Sequence, residues 1–382
     1  MDFELSEQQR DIKNAAREFA EGTFPEFAEE SDLNETFPRE LWKKACDLGF
    51  VGVFIDENYG GPGLSFLENA LITEEFCRVD AGCGNILLTT LGSEFILLYG
   101  TEEQKKRYLP GLTKGKAIMG MAVTEPDAGS DVASVTTRAR KRGHHYLING
   151  NKIFITNGNI ADFLVVLCLT NEDEKVRAKR HSAMIVETNR KGFEANKLKR
   201  KLGMRASDSA EIHFSDVEVP LENLVGEAEG EGFQQLMEVF NRTRVATAIQ
   251  GVGVAQGGLE KAIHYSKQRR QFGRSIGSFQ GIQFKLAEMA SWIESARTLC
   301  YKAAWMLDSG KIDRKVVSMA KWVAGEVAVK VVDEVVQIHG GYGYFGEYGI
   351  ERLYRDAKLL EIVEGTKEIE KMIIARELLG KI

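Results

Sequence analysis

The chain has 382 residues, of which 43% are hydrophobic and 28% are charged. This length and apolar content are typical of a globular protein of two or three domains, and they exclude an intrinsically disordered chain, which combines low hydrophobicity with high net charge. The formal net charge of −6 excludes a global basic field that would favour nucleic acid.

The first segment of the chain, residues 1–117, has a helical pattern. A Ser or Thr followed three residues later by Glu or Gln predicts a capped helix start, and this pattern occurs at Ser6, Ser65 and Thr101. The first of these helices is charged and amphipathic, and it lacks the apolar stretch of a signal peptide. We therefore predict an N-terminal helical domain over residues 1–117.

The most apolar stretch of this domain, residues 86–99, is interrupted by Thr89, Thr90, Ser93 and Glu94. It is too short and too polar to span a bilayer, so we expect no membrane span and a cytoplasmic protein. Glu94 has two interpretations within this apolar helix. It is either a carboxylate in a pocket or an exposed residue at the end of the helix.

The pattern of residues 118–228 predicts a middle β-domain. Its short β-rich runs follow one another without helices between them, which favours an antiparallel sheet or small barrel over a parallel sheet. Asn149-Gly150-Asn151 predicts a turn between two strands. The basic stretch 190–201 indicates a solvated loop or strand edge, with a phosphate-bearing ligand as the minority alternative. The predicted strands are 118–123, 146–149, 152–156, 163–169, 183–186 and 211–219.

From residue 229 onward the helical period returns, and four long helices predict a C-terminal four-helix bundle over residues 229–382. A turn between two of them is expected at Asp308-Ser309-Gly310. The fold class is therefore α+β: a helical domain, an antiparallel β-domain and a helical bundle. The predicted helices are 233–268, 280–308, 313–338 and 369–379.

Cysteine and histidine spacing indicates neither a disulfide framework nor a metal site. The five cysteines are scattered and include no C-x-x-C pair. The six histidines include no H-x-x-x-H or H-E-x-x-H pair. We therefore expect ordinary core and surface roles for both residue types.

Residues 341–346 (GYGYFG) formally match the G-x-G-x-x-G fingerprint of dinucleotide-binding domains. That fingerprint requires a strand before the glycines, whereas residues 327–338 predict a helix. We therefore reject a nicotinamide site. A glycine-rich helix terminus can still approach a phosphate closely, because its backbone N–H groups are bare.

Three further segments together indicate a specific chemistry, although each alone could be a turn or a charged helix face. They are 121–131 (MAVTEPDAGSD), 265–273 (YSKQRRQFG), and 354–358 (YRDAK) followed by Glu364-Gly365-Thr366. In this order, on a helical–β–helical chain, they resemble the acyl-CoA dehydrogenase family over essentially the whole sequence.

The resemblance implies that FAD is the cofactor and that an acyl-CoA thioester is oxidised to the trans-2-enoyl-CoA. The family's base is the glutamate of the E-G-T motif, here Glu364, and we expect a water-excluded site that raises its pKa. Its backbone N–H, with a flavin ribityl hydroxyl, would hold the thioester oxygen. Some members carry the base in the long helix after the β-domain, where this chain has Thr243, which cannot act as a base. The alternative for Glu364 is that it merely caps the following helix.

The resemblance also implies a set of FAD residues. Phe154 would lie against the flavin and Thr156 near N5. The positions that would reach the FAD of a neighbouring subunit are Arg269, Gln271, Phe272 and Gln280. Gln337 and Gly340-Gly341 would lie near the diphosphate and adenosine, and Thr366 and Glu368 would complete the adenosine site. A shared site implies a homotetramer, built as a dimer of dimers. The implied residues are Met121, Val123, Thr124, Gly129, Ser130, Phe154, Ile155, Thr156, Arg269, Gln271, Phe272, Gln280, Gln337, Gly340, Gly341, Thr366 and Glu368, the last in place of a commoner Gln or Asn.

For the thioester, the family's CoA contacts match Ser130, Asn241 and Arg244, where Asn241 replaces a frequent Asp. Glutaryl-CoA is disfavoured because glutaryl enzymes supply an Arg where this chain has Gly84, and an unpaired buried carboxylate is costly. We expect a short, branched or alicyclic acyl group, since bulky leucines shorten the channel and Val363 widens it near the base. The implied acyl-site residues are Gly84, Leu87, Leu88, Leu91, Val363 and Gly365.

The sequence thus predicts an FAD-dependent acyl-CoA dehydrogenase of fatty or carboxylic acid degradation that passes electrons to an electron-transferring flavoprotein. Two enzymatic alternatives carry nearly the same residues: an enoyl-CoA reductase in an electron-bifurcating complex, and an oxidase or monooxygenase of the same fold. An alternative of another class is a non-catalytic acyl-CoA-binding or assembly subunit. A preparation that binds no flavin would favour this last alternative.

Overall fold

Seven helices precede the first strand in residues 4–380, the part of the chain that the computed structural model describes. The three predicted capping boxes are confirmed: Ser6, Ser65 and Thr101 each cap a helix whose third residue bonds back to the cap. The helices are α1 (Glu7–Thr23), α2 (Ala28–Asn34), α3 (Arg39–Asp47), α4 (Phe66–Val79), α5 (Ala81–Gly84), α6 (Ser93–Tyr99) and α7 (Glu102–Thr113).

One stretch of the described chain, Ala81–Tyr99, is long and apolar enough to cross a membrane by length and composition. It is not one continuous helix, because a 3₁₀ segment (Asn85–Thr90) and Gly92 separate α5 from α6. Of its most apolar window, 72% is buried inside the protein. The stretch therefore forms part of the core.

Seven strands form one sheet in the order β1-β4-β2-β3-β7-β6, and β5 pairs with the other edge of β4. Most pairs are antiparallel, as predicted, but β1 runs parallel to β4, with Met119 beside Phe163. The connection between these two strands passes through the β2–β3 hairpin rather than through a helix. The strands are β1 (Met119–Ala122), β2 (Arg138–Arg142), β3 (His145–Thr156), β4 (Phe163–Leu169), β5 (His181–Glu187), β6 (Phe193–Lys197) and β7 (Ser209–Pro220).

The predicted turn at Asn149-Gly150-Asn151 is wrong, because these residues continue β3 as a single strand of 12 residues. The pairing with β7 shifts between Ile148 and Gly150, and Gly150 has a φ of +145°. A Cβ at Gly150 would lie 2.6 Å from the Oγ1 of Thr137. Gly150 therefore forms a β-bulge rather than a hairpin turn, and its lack of a side chain lets the segment of Thr137 approach closely. Within the basic stretch 190–201, the expected strand edge is confirmed as β6, the last strand of the sheet.

The long C-terminal helices are confirmed, and glycines allow one of them to pack closely. A Cβ at Gly257 of the first long helix would lie 1.9 Å from the carbonyl oxygen of Arg78 in α4. The domain boundaries at 117/118 and 228/229 stay predictions. The remaining elements are α8 (Gly232–Gln268), β8 (Arg270–Gln271), β9 (Arg274–Ser275), α9 (Gln280–Asp308), α10 (Arg314–His339), α11 (Gly341–Tyr344), α12 (Ile350–Ala357) and α13 (Lys367–Leu379).

Candidate active site

Glu364 lies in the loop before α13, in a backbone conformation that buried cations hold in place. Its φ is +55°, and the φ of Gly365 is +107°. Arg244 of α8 donates from Nε to the Glu364 carbonyl oxygen (2.9 Å), and Lys321 of α10 donates to the Gly365 carbonyl oxygen. A side chain at residue 365 would be strained at this φ, and its Cβ would lie 2.2 Å from the Oε1 of Glu370, so the position favours glycine.

The Glu364 carboxyl accepts a hydrogen bond from the Thr243 hydroxyl (Oγ1–Oε2 2.5 Å). Burial raises the pKa of this carboxyl, while the Thr243 hydrogen bond and the positive charges of Arg244 and Lys321 oppose the rise. Glu364 does not cap α13, since the Thr366 side chain does so by accepting from the backbone N–H of Ile369. The helix-cap alternative for Glu364 is therefore wrong.

Two residues that sequence reasoning missed, Lys321 and Glu370, lie beneath this loop. Lys321 is 1% exposed, and burial lowers its pKa to about 8. Glu370 is fully buried and forms an ion pair with Arg244 (Nε–Oε1 3.1 Å). The available signal was a lysine on an apolar face of α10, between Val317 and Ala324, where a charge is costly unless it has partners.

The structure brings the segment around Thr124 against the end of β3. Lys152 donates from Nζ to the Val123 carbonyl oxygen (2.8 Å) and to Glu125 (Oε1, 2.9 Å). The Ile153 backbone N–H donates to the Thr124 carbonyl oxygen (2.9 Å). These contacts place the first family-like segment beside Phe154, as one predicted FAD surface requires.

The side chains of this predicted FAD surface differ in how much solvent they contact. Phe154 is 69% exposed with a φ of +59°, whereas Ile155 is buried in the core and offers only its backbone. The other members range from buried through partly buried to exposed: Met121 and Val123 are buried, Thr124 and Thr156 are partly buried, and Gly129 and Ser130 are exposed. An exposed aromatic ring beside backbone amides and a hydroxyl fits the isoalloxazine system of FAD.

The leucines of the implied acyl site lie against β1. Asn157 donates from Nδ2 to the carbonyl oxygens of Leu88 (2.8 Å) and Met119 (3.0 Å). Sequence reasoning missed this residue, which links the leucine segment to β1. The side chains of Leu87, Leu88 and Leu91 are partly buried. Gly84 is buried, and a side chain there would point at Cys77 Sγ (3.0 Å) of α4.

The remaining acyl-site and CoA residues flank the base. Val363 and Gly365 lie on either side of Glu364 and are partly buried, whereas Asn241 is buried in α8, one turn before Arg244. Their roles toward the thioester stay predictions.

A second group of implied FAD residues lines a separate cavity of about 610 Å³. Arg269, Gln271, Gly340 and Gly341 lie on its wall, and a Cβ on either glycine would meet open space. Bare glycine backbone beside a guanidinium fits the diphosphate of a dinucleotide. Phe272, which follows Gln271, is 93% exposed, and Gln280 and Gln337 are exposed as well. Thr366 and Glu368 lie instead directly after the base loop, where Thr366 is partly buried at its cap position and Glu368 is exposed.

The two groups of FAD residues lie far apart in one chain. Arg244 contacts the base loop, and Arg269 follows the end of the same helix α8. At 1.5 Å per residue, the 25 residues between them span about 37 Å. The second group therefore cannot face the base of its own chain, but it is available to a neighbouring chain.

Among residues 4–380, no three His, Cys, Asp or Glu side chains are placed so that they could hold a metal ion.

Replacing Thr243 with Val should move the acid limb of the pH–rate profile to higher pH. The Thr243 hydroxyl lowers the pKa of Glu364, so its loss raises that pKa, and more base is protonated at a given pH. We expect the rate of flavin reduction at pH 6 to fall about tenfold, the order of effect of losing one hydrogen bond to a charged group. Thr247→Val, one turn further along α8, is the matched control. An unchanged profile in Thr243→Val would contradict this role.

Three domain models of one protein family match consecutive parts of the chain. They are the N-terminal domain of acyl-CoA dehydrogenase over residues 6–116, its middle domain over residues 120–217 and its C-terminal domain over residues 230–379.

Individual relatives match over nearly their full length. The chain is 42% identical to a protein of Clostridium acetobutylicum named acyl-CoA dehydrogenase, short-chain specific, over 98% of this chain and 99% of the relative. It is 39% identical to the caffeyl-CoA reductase–Etf complex subunit of Acetobacterium woodii, over 99% of this chain and 100% of the relative. Its structure matches butyryl-CoA dehydrogenase from Megasphaera elsdenii with a TM-score of 0.95 and 39% identity, covering 99% of this chain and 100% of that chain.

Proposed function

This chain belongs to the acyl-CoA dehydrogenase family, a family of FAD-dependent oxidoreductases, and from that premise we propose that it dehydrogenates the α,β bond of a short acyl-CoA thioester with Glu364 as the base. The observation that carries the proposal is the setting of the Glu364 carboxyl. It is partly buried, burial raises its pKa, Thr243 donates to it, and Arg244 and Lys321 bind the backbone of its loop.

In the proposed reaction, Glu364 removes the α-proton, and the C–H electron pair forms the double bond as a hydride leaves the β-carbon. FAD, when bound, supplies the acceptor for that hydride. The Glu364 backbone N–H donates no hydrogen bond within residues 4–380, which leaves it free for the thioester oxygen. A donor at that oxygen stabilises the negative charge that develops as the α-proton departs.

We propose a short, branched or alicyclic acyl group, because the acyl-site leucines are partly buried beside the sheet and Val363 is small. The electron acceptor we propose is an electron-transferring flavoprotein, and the relative from Acetobacterium woodii is named as a subunit of an Etf complex. The separation between the two FAD groups along α8 supports a shared cofactor site and a homotetramer. The cytoplasmic location stays a prediction.

A second candidate is the reverse reaction, reduction of an enoyl-CoA. It is favoured by one observation: the same relative, 39% identical over nearly the full chain, is named as a subunit of a caffeyl-CoA reductase–Etf complex. The same base and oxyanion donor would then return a proton to the α-carbon, so the residues alone do not separate the two directions.

Anaerobic bleaching of the flavin near 450 nm tests the proposed function. The FAD-loaded protein is mixed with butyryl-, isobutyryl-, octanoyl-, cyclohexanecarboxyl- and glutaryl-CoA. We expect rapid bleaching by butyryl-, isobutyryl- or cyclohexanecarboxyl-CoA, slow bleaching by octanoyl-CoA and none by glutaryl-CoA. Glutaryl-CoA as the best substrate would contradict the acyl preference.

Three other outcomes distinguish the alternatives. Protein that reacts only in reverse, with enoyl-CoA reoxidising chemically reduced flavin, would favour the reductase. Stoichiometric peroxide in air would favour an oxidase. A loaded flavin that no thioester reduces or reoxidises would overturn the proposed function.

A further inference from the structure

Glu94 of α6 is a buried carboxylate that forms no ion pair within residues 4–380. It is 7% exposed, and within residues 4–380 the only other residue that donates a hydrogen bond to its side chain is Gly92, through its backbone N–H (Oε2, 3.2 Å). In the same part of the chain no Lys, Arg or His lies within ion-pair distance of it. The exposed interpretation of Glu94 is therefore wrong, and the pocket interpretation remains.

The surroundings of Glu94 are apolar. Its neighbours in α6, Phe95 and Ile96, belong to an apolar cluster that also contains Met119 and Met121 of β1 and receives Leu91 at its margin. A Cβ on Gly92 would lie 3.2 Å from the Met121 Cβ. Glu94 is thus anchored between the acyl-site leucines and the strand that leads to the FAD surface.

Glu94 lies close enough to the base Glu364 for the two carboxyl groups to interact electrostatically. Its carboxyl interacts unfavourably with the carboxyl of Glu364 and favourably with the Arg242 guanidinium, which is itself engaged by Glu238 (3.3 Å). Burial raises the pKa of Glu94 to about 7, so that both the neutral and the ionised forms are populated near neutral pH.

We propose that Glu94 determines substrate specificity by binding a hydroxyl group carried on the acyl chain. The inference rests on the proposed function and names its substrate class, a hydroxylated short acyl-CoA. Beside a plain hydrocarbon chain the buried carboxyl would keep only hydrogen bonds from nearby backbone N–H groups, whereas a substrate hydroxyl would donate a further hydrogen bond to it.

The chemistry of the carboxyl selects a hydroxyl over a charged substituent. A hydroxyl both donates and accepts, so it matches Glu94 whether that residue is ionised or neutral. A carboxylate on the substrate would add a third negative charge beside Glu94 and Glu364. An ammonium group would find a partner only in the ionised form and would lose its hydration on entering an apolar site.

Matched pairs of substrates test this inference. The FAD-loaded protein is given butyryl- and 4-hydroxybutyryl-CoA, and pentanoyl- and 5-hydroxypentanoyl-CoA, and kcat/KM is measured by flavin reduction. We expect a preference for one hydroxylated partner of about 10- to 100-fold, the range that one satisfied buried hydrogen bond supports. Glu94→Leu should abolish or reverse this preference, whereas Glu94→Gln should keep much of it, because an amide also donates and accepts. Glu103→Gln, an exposed position of α7, is the control.

Calorimetric binding separates failure of this inference from failure of the proposed function. The same four thioesters are titrated into Glu364→Gln protein with and without Glu94→Leu, so that no turnover occurs. A hydroxyl preference in affinity that Glu94→Leu removes supports the inference even if no thioester reduces the flavin. Equal affinity and equal kcat/KM for hydroxylated and plain partners would overturn it, as would equal losses on both in Glu94→Leu.

Discussion

Glu364→Gln is expected to lower the rate of flavin reduction by acyl-CoA on the order of 10⁴-fold while the protein keeps its FAD. Glutamine has nearly the same shape and still accepts the Thr243 hydrogen bond, but it cannot take a proton at neutral pH. The loop itself should be undisturbed, because Arg244 and Lys321 bind carbonyl oxygens of the backbone and not the side chain. The measurement is the single-turnover rate of anaerobic bleaching, with FAD content read from the absorbance of the same sample.

The matched control is Glu326→Gln, which removes one negative charge from an exposed position of α10. It should leave the rate within about twofold, as is usual for a surface substitution. Turnover of Glu364→Gln close to that of the parent would remove Glu364 from the mechanism. Loss of FAD would instead show that the carboxyl is needed for the loop to form.

Lys152→Met is expected to destabilise the protein by about 3–5 kcal/mol, the usual effect of leaving a buried charge without its partner. Lys152 is fully buried, and Glu125, which it contacts, is also buried and accepts the backbone N–H groups of Thr136 and Thr137. Because this pair fixes the segment around Thr124, the loss should also weaken retention of FAD. Denaturant unfolding gives the free energy, and gel filtration gives the retained flavin.

The pH dependence of that loss has a defined sign. Burial acts to raise the pKa of Glu125, but the positive charge of Lys152 and three hydrogen bonds outweigh it and lower that pKa to about 2, against an ordinary value of 4.5. The hydrogen bonds come from the Thr136 hydroxyl and from the backbone N–H groups of Thr136 and Thr137. Its contribution to stability is therefore full above pH 4.5 and disappears as the pH falls toward 2. The difference between the parent and Lys152→Met should shrink over the same acid range, since a protonated Glu125 no longer needs the cation.

Two further variants complete this test. The double variant Lys152→Met/Glu125→Gln should recover part of the stability, because no unpaired charge is then left buried. Lys141→Met, at an exposed position of β2, should have no comparable effect. If Lys152→Met unfolded at the denaturant concentration of the parent, the pair would have no structural role.

Local patterns predicted the elements of this fold well. The capping boxes at Ser6, Ser65 and Thr101 and the strand Phe163–Leu169 agree with the structure, because caps and strand periodicity are determined by residues a few positions apart. The prediction of a turn at Gly150 was wrong because it also used only residues a few positions apart. A glycine that permits a positive φ serves a turn or a bulge equally well, and the choice was made by Thr137, which packs against it from another segment.

The sequence by itself determined the order of helices and strands, the family, and the candidate base Glu364, since each depends on residues close together in the chain or on a motif. Only the tertiary structure decided how the site is held. Thr243 is 121 residues from Glu364, and Lys321 is 44 residues from Gly365. Glu94 is far along the chain from Arg242 and Glu364, the two charged groups that act on it. These residues carry no local signal, because the role of a buried polar side chain depends on which partners and how little water surround it, and folding alone brings those partners together.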